Sequence, residues 1–186
     1  MYDITMKLLH GRQYLNIYEE IANLIPDNSS VTDVCCGSCK LYKDFLKKKS
    51  SKYLGLDLNG SFVMEAHKLG INIKLFNLIS EDVPNSDYVV ICYSFYHFHS
   101  WENEIFDKLM SAAKKAVIIS ESVVHLPIPK GWFFKQVGKW LTYPGFGKNS
   151  YRYNIDSFSS FAEKHEVSNF IYKSGQRTAI AVFEKK

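Results

Sequence analysis

The sequence predicts a doubly wound α/β sheet forming one domain across residues 1–186, and three observations carry that prediction. Short β-prone runs alternate with helix-spaced apolar stripes along most of the chain. The runs at 88–93 (YVVICY) and 116–119 are apolar at nearly every position, as in parallel strands covered by helices on both faces. A tight turn, Cys36-Gly37-Ser38, separates the first strand from the helix after it, which is where such sheets open their ligand crevice.

Taken in order, Tyr14, Ile17, Tyr18, Ile21 and Leu24 recur at helical spacing and stop at Pro26-Asp27, so 12–25 reads as an amphipathic helix. A strand follows over 31–35, then the turn, then a helix with Leu41, Phe45 and Leu46 on one stripe. Lys47, Lys48, Lys49 and Lys52 fall at the end of that helix, where cations complement its dipole, and read as a solvated surface. Residues 53–58 form the second strand. Asn59-Gly60 turns the chain into a helix whose inner face is Val63, Ala66 and Leu69, with Gly70 to end it. Strands at 71–76, 88–93 and 116–119 come next, the last two separated by a helix marked by Trp101, Ile105, Phe106 and Leu109. Residues 122–153 are too rich in aromatics and proline for an ordinary connection and read as an inserted lid with a helix near 131–142. Asn154 caps a final helix over 155–165, and strands at 169–173 and 178–183 flank a Ser174-Gly175 turn. That makes seven strands, mostly parallel, closing on an antiparallel C-terminal strand.

Lys and Arg number 23 against 19 Asp and Glu, for a net charge of +4 and a pI near 8.7. So mild an excess, without a basic stripe threaded by aromatics, argues against nucleic acid as a partner. No stretch approaches the length of a transmembrane helix, and the N-terminus lacks the apolar run of an export signal. Three of the four cysteines crowd into 35–39, unlike a secreted disulfide framework, so reduced thiols and a cytoplasmic location are expected.

The chemistry should sit at the carboxyl ends of the central strands. Asp33 lies in the first strand, Gly37 in the turn after it, and Asp57 at the end of the second strand, twenty positions beyond Gly37. An acid there is placed to bind both ribose hydroxyls of an adenosine lying across the two strands. A dinucleotide would need three glycines, whereas its spacing falls here on Cys35, Gly37 and Lys40, so an adenosine with a smaller amino-acid tail fits better.

The segments VTDVCCGSC, YLGLDLN, NLISEDVPNSDYVVICYSFYHF and AVIISES resemble the class I S-adenosylmethionine-dependent methyltransferases of the methyltransferase type 11 kind. The resemblance spans roughly residues 12–121 and resumes over the last helix and strand pair. It implies a Rossmann-like sheet with S-adenosyl-L-methionine as cofactor. The family's Asp-x-Gly-x-Gly-x-Gly appears as Asp33-Val34-Cys35-Cys36-Gly37-Ser38-Cys39, with cysteine at the first and third glycines. Carried over residue by residue, Asp33, Cys35 and Gly37 lie toward the methionine end, Asp57 binds ribose, Leu58 touches adenine, and Asn77-Leu78 holds the adenine amino group. Tyr93, Tyr96 and His97 follow the fourth strand where methyl donor and acceptor meet, and the 12–25 helix covers the cofactor with Arg12 near its carboxylate.

The reaction implied is in-line attack of an acceptor lone pair on the sulfonium methyl, which asks the protein chiefly for alignment. Where the acceptor must lose a proton, His97 is the leading base because its intrinsic pKa suits neutral pH, with Tyr96, His99 and Glu121 beside it. The acceptor is expected to be a small molecule with an apolar or aromatic part, held by Tyr96, Glu121, Tyr151 and Arg152 under the lid. Lys130, Lys135 and Lys139 beside the lid aromatics also allow peripheral membrane contact and a lipid-linked acceptor. Two other readings compete: a Cys-x-x-Cys thiol-redox protein through Cys36 and Cys39, and a module that binds the cofactor without catalysis. A metal held by Cys35, Cys36 and Cys39 lacks a second ligand pair, so no metal is expected.

Overall fold

The computed structural model describes residues 13–124, 151–173 and 177–186. Arg12, the lid helix near 131–142 and the Ser174-Gly175 turn lie outside the described residues.

Seven strands form one sheet: β1 (Ser30–Val34), β2 (Lys52–Asp57), β3 (Ile73–Leu75), β4 (Ser86–Cys92), β5 (Ala113–Ser122), β6 (Asn169–Ile171) and β7 (Thr178–Glu184). Their spatial order is β3-β2-β1-β4-β5-β7-β6. The first five are mutually parallel, and β7 runs antiparallel to both β5 and β6. The order reverses direction between β1 and β4, so the chain leaves those neighbours toward opposite flanks and opens a crevice at their carboxyl ends.

Each face of the sheet carries its own core. Val89 and Ile91 of β4, with Val117 and Ile119 of β5, pack on one face against α4 (Glu102–Ala112) and α5 (Ile155–Lys164). Val90 and Ile118 point the other way, toward α1 (Gln13–Leu24), α2 (Lys40–Asp44) and α3 (Gly60–Lys68). Alternate side chains of a strand go to opposite faces, so burial of both faces demands apolar residues at consecutive positions. That is why these two strands read as unbroken apolar runs. Helix α5 begins with a reciprocal cap: the Ser157 N–H donates to Asn154 Oδ1 at 2.8 Å, and the Asn154 N–H donates to Ser157 Oγ at 3.0 Å.

Four readings of the sequence do not carry over into the structure. The helix after β1 stops at Asp44; Phe45 leaves helical geometry, and Leu46–Lys49 form a separate 3₁₀ turn. Lys49 anchors that turn, its Nζ donating to the Ala22 carbonyl at 2.9 Å and its own carbonyl accepting from the Asn28 N–H at 2.9 Å. Lys52 belongs to β2, not to the basic helix end. Leu69 is exposed instead of lying on the inner face of α3. The last turn of α3 tightens to i,i+3 bonding, Leu69 N–H to Ala66 carbonyl at 3.0 Å, which rotates Leu69 off the buried stripe before Gly70 turns the chain at φ 68°. Trp101, expected on the inner face of its helix, ends a 3₁₀ segment (Phe95–Trp101) and is likewise exposed.

Gly55 in the middle of β2 has no room for a side chain. A Cβ there would come within 2.8 Å of Cys36 Sγ and 3.2 Å of both Ile73 Cγ1 and Tyr53 Oη. Gly55→Ala is therefore expected to destabilise the fold by about 1–3 kcal/mol through overpacking. Urea unfolding of Gly55→Ala and of the Gly55→Ala/Cys36→Ala pair checks this, with the second substitution recovering part of the loss.

Candidate functional site

Strands β1 and β2 run parallel with Asp33 opposite Gly55, so the residues leaving both strands meet at one edge of the sheet. Alternate residues Tyr53, Gly55 and Asp57 share a face of β2. The Tyr53 hydroxyl donates to Asp33 Oδ2 at 2.8 Å, within the protein interior. Asp57 Oδ2 accepts from the Gly37 N–H at 2.7 Å, and its Oδ1 accepts from the Asn59 N–H at 2.8 Å. The Cys36 N–H donates to the Leu56 carbonyl at 3.1 Å. The turn after β1 is thus suspended from the last two residues of β2.

The backbone of that turn is unusual. Cys35, Gly37 and Cys39 all adopt left-handed conformations, with φ of 56°, 52° and 56°. These are the three positions where the resembling family has glycine. Non-glycine residues occupy this region only a few per cent of the time, so two cysteines doing so on either side of Gly37 give the turn the backbone path that glycines would otherwise supply.

Burial raises the Asp33 pKa to about 7; the Tyr53 hydrogen bond offsets part of this, and the neighbouring Asp57 charge adds to it. Burial also raises the Asp57 carboxyl, moderated by the Asn59 and Gly37 N–H donors. The Cys35 thiol is pushed far up, first by burial and then by the charges of Asp57, Asp33 and Glu121. The resulting electrostatics favour an incoming positive charge.

A second group of residues follows β4 and β5. The Tyr93 N–H donates to the Ser120 carbonyl at 2.8 Å, and its backbone is left-handed at φ 53°. Its hydroxyl lies 3.0 Å from Thr178 Oγ1, and its ring meets Tyr18 of α1 edge-on at 6.2 Å. Glu121, fully buried at the end of β5, accepts the Tyr96 N–H at 3.1 Å. Burial lifts its carboxyl to about 8 despite backbone donors at Tyr96, Phe95 and Ser122 and the charge of Arg152. The Arg152 guanidinium sits over the Tyr96 ring, 4.0 Å from its centroid. His97 packs on the same tyrosine at 3.9 Å. Its pKa falls to about 4, through burial first and the Arg152 charge second, so the expectation of a histidine titrating near neutrality does not hold. His99 stacks on Tyr151 with 3.4 Å between centroids, and the Tyr153 hydroxyl donates to Glu102 Oε2 at 2.5 Å.

The structure therefore brings together Asp33, Cys35, Gly37 and Asp57 in one cluster, and Tyr96, His97, Glu121 and Arg152 in another. Leu58 is exposed just beyond Asp57, while Leu78 is buried in the core. Asn77 folds onto its own loop, its Oδ1 accepting the Ile79 N–H at 3.1 Å. Lys108 of α4 braces that loop, its Nζ donating to the carbonyls of Leu78, Ile79 and Glu81 at 3.1, 3.2 and 2.9 Å. Sequence reasoning missed Tyr53 and Asn59, the partners of the two acids. Counting alternate positions back from Asp57 puts Tyr53 on the same face of β2, and the register of β1 against β2 decides that its hydroxyl reaches Asp33.

The family model for the methionine biosynthesis protein MetW matches residues 16–128, more than half of the chain. The chain belongs to the MetW family. A search of curated proteins finds no match. Among solved structures, the magnesium protoporphyrin IX methyltransferase ChlM of Synechocystis PCC 6803, with SAH bound, is similar at TM-score 0.66 and 15% identity, over 94% of this chain and 84% of that one. The methyltransferase domain of a bacterial Hen1 aligns at TM-score 0.65 and 19% identity, over 94% and 98%. A TehB-like SAM-dependent methyltransferase of Corynebacterium glutamicum aligns at 0.60 and 16%, over 91% and 86%. This MetW-family chain thus has the Rossmann-like fold of the class I methyltransferases, as its sequence resembles. Among the described residues no cluster is suited to a metal ion, and no helix is long and apolar enough to cross a membrane.

Asp33 and Glu121 keep protons in the folded state at pH values where the unfolded chain has released them. Stability contributed by each falls as pH rises from the unfolded pKa near 4 to the folded pKa of about 7 or 8, by at most about 1.4 kcal/mol per pH unit. Between pH 6.5 and 8 the parent protein is expected to lose more stability than an Asp33→Asn/Glu121→Gln variant, as compared by urea unfolding at each pH.

Proposed function

We propose that this protein transfers a methyl group from S-adenosylmethionine to a small-molecule acceptor with an apolar or aromatic part. The observation that carries the reading is the left-handed backbone at Cys35, Gly37 and Cys39 hung from the Asp57 carboxylate. The residues present fit the cofactor. Each oxygen of Asp57 uses one lone pair on a backbone N–H and keeps another for a ribose hydroxyl. Leu58 offers apolar surface to adenine, and Asn77 Oδ1, which uses one lone pair on the Ile79 N–H, keeps another for the adenine amino group. The desolvated acids Asp33 and Asp57 suit a ligand carrying a sulfonium and an ammonium group, whereas the pyrophosphate of a dinucleotide would meet repulsion.

The bound cofactor would supply an electrophilic methyl group. On the acceptor side, Tyr96 and Tyr151 supply aromatic walls, and Arg152 supplies a cation for an acidic substituent on the acceptor. Glu121 orders the segment after β4 by holding the Tyr96 N–H. His97, kept neutral by burial and the Arg152 charge, is able to accept a hydrogen bond from an acceptor hydroxyl or amine but is a weak base.

Asp57→Ala is expected to weaken binding of both S-adenosylmethionine and SAH roughly 10- to 100-fold, the equivalent of about 1.5–3 kcal/mol. Isothermal titration measures this, with NAD as the control ligand; tight NAD binding with none of SAH overturns the reading. Because a cation favours ionised Asp33, affinity for S-adenosylmethionine should rise with pH up to about 7 and then level. SAH, with a neutral sulfur, should show a shallower dependence, and Asp33→Asn should flatten the difference between the two ligands.

A further inference from the structure

Cys36 and Cys39 serve the proposed cofactor site only as backbone, yet their sulfurs lie 3.7 Å apart. The Cys39 N–H donates to the Cys36 carbonyl at 2.9 Å, closing a four-residue turn that keeps the two Cα atoms within about 7 Å. That is inside the Cα separation that a disulfide spans. Cys36 is partly exposed, whereas Cys39 is fully buried at the start of α2. Cys36 Sγ lies where a Gly55 side chain would otherwise be, beside the Tyr53 hydroxyl. The thiols also belong to the buried polar cluster of the site: Tyr53 bonds Asp33 and interacts with Cys39 as well.

We propose that Cys36 and Cys39 are a reversible redox modification site, whose disulfide reshapes the Cys36-Gly37-Ser38-Cys39 turn and lowers affinity for the cofactor. The proposal rests on the reading of this site as one for S-adenosylmethionine. The oxidant is a low-molecular-weight disulfide. Cys36, which solvent reaches, attacks one sulfur of that disulfide as its thiolate, forming a mixed disulfide and expelling one small thiolate. Cys39 then attacks the Cys36 sulfur and expels the second. Two electrons pass from the protein thiols to the oxidant, and the two thiol protons end on the two small thiols released. The hydrogen bond between the two thiols, ahead of burial, raises the Cys36 pKa, and the same bond together with the Tyr53 hydroxyl lowers that of Cys39, so Cys39 carries the charge and takes the Cys36 proton as Cys36 attacks.

The coupling to the site is geometric. Bonding distance for two sulfurs is about 2.05 Å, so closure draws them together by more than an ångström across the turn. Gly37 sits inside the ring that closes, and its N–H is one of the two donors holding Asp57. The other end of the ring is tied through the Cys36 N–H to Leu56. Contraction between these two anchors moves the Gly37 N–H relative to the Asp57 carboxylate.

The test equilibrates the full-length protein in oxidised and reduced glutathione mixtures, traps thiols by alkylation, and reads the bridge by mass spectrometry. SAH affinity is titrated on the same samples. Expected are a Cys36–Cys39 bridge, at least a tenfold loss of SAH affinity on oxidation, recovery with dithiothreitol, and no response to oxidant in Cys36→Ser/Cys39→Ser. Cys39→Ser alone should accumulate glutathione on Cys36. Failure of the bridge to form, or a bridge with unchanged SAH affinity, overturns the proposal. A fully reduced protein that does not bind SAH overturns the methyltransferase reading instead, and the thiol site then stands or falls on the mass measurement.

Discussion

The site depends on one carboxylate. Asp57 terminates β2 and holds the N–H groups of Gly37, from the turn after β1, and Asn59, from the entry to α3. Two βα connections that are otherwise independent are thereby joined at their tips. The joint works only because β1 and β2 are parallel and in register, which brings both carboxyl ends to the same edge. It also explains why Gly55 must lack a side chain: Cys36 closes down over the strand from above, and the strand has to give way there. A carboxylate receiving two backbone donors is held rigidly, so a ligand binding to it meets a preformed acceptor.

The two halves of the site have different electrostatic character. Around β1 and β2, burial pushes both Asp33 and Asp57 toward their neutral forms. Beyond the carboxyl ends of β4 and β5 the Arg152 cation lies against Tyr96, depresses His97 and partly offsets the desolvation of Glu121. A ligand with a positive centre and an acceptor with a negative one would therefore be sorted to opposite sides of the crevice. Cys35 lies between, its thiol sensing Asp57, Asp33 and Glu121 at once.

Much of this architecture could be read from the sequence because it rests on patterns that local chemistry enforces. The continuous apolar runs of β4 and β5, the Asn154 cap and the Asp33, Gly37 and Asp57 spacing all carry through. Helix and strand ends were less legible. The break at Phe45 and the outward turn of Leu69 follow from tertiary anchors at Lys49 and from a tightened last turn, which spacing alone does not encode. Tyr53 looked like one more strand aromatic, and only the register shows its hydroxyl reaching Asp33. His97 was legible as a position but not in its acidity, since burial and Arg152 come from the fold.

Cysteines at left-handed positions carry a consequence for the folding balance of the chain. A residue with a Cβ costs roughly 1–2 kcal/mol there, which glycine avoids, so Cys35 and Cys39 concentrate local strain in the turn next to Asp57. The same substitution of cysteine for glycine narrows the unfolded ensemble and returns part of that cost as lost chain entropy. Small, loose turns near ligands usually owe their adaptability to glycine. This one has a single glycine where the resembling motif has three, and so presents its backbone donors as a stiff frame rather than as a loop that settles around what it binds.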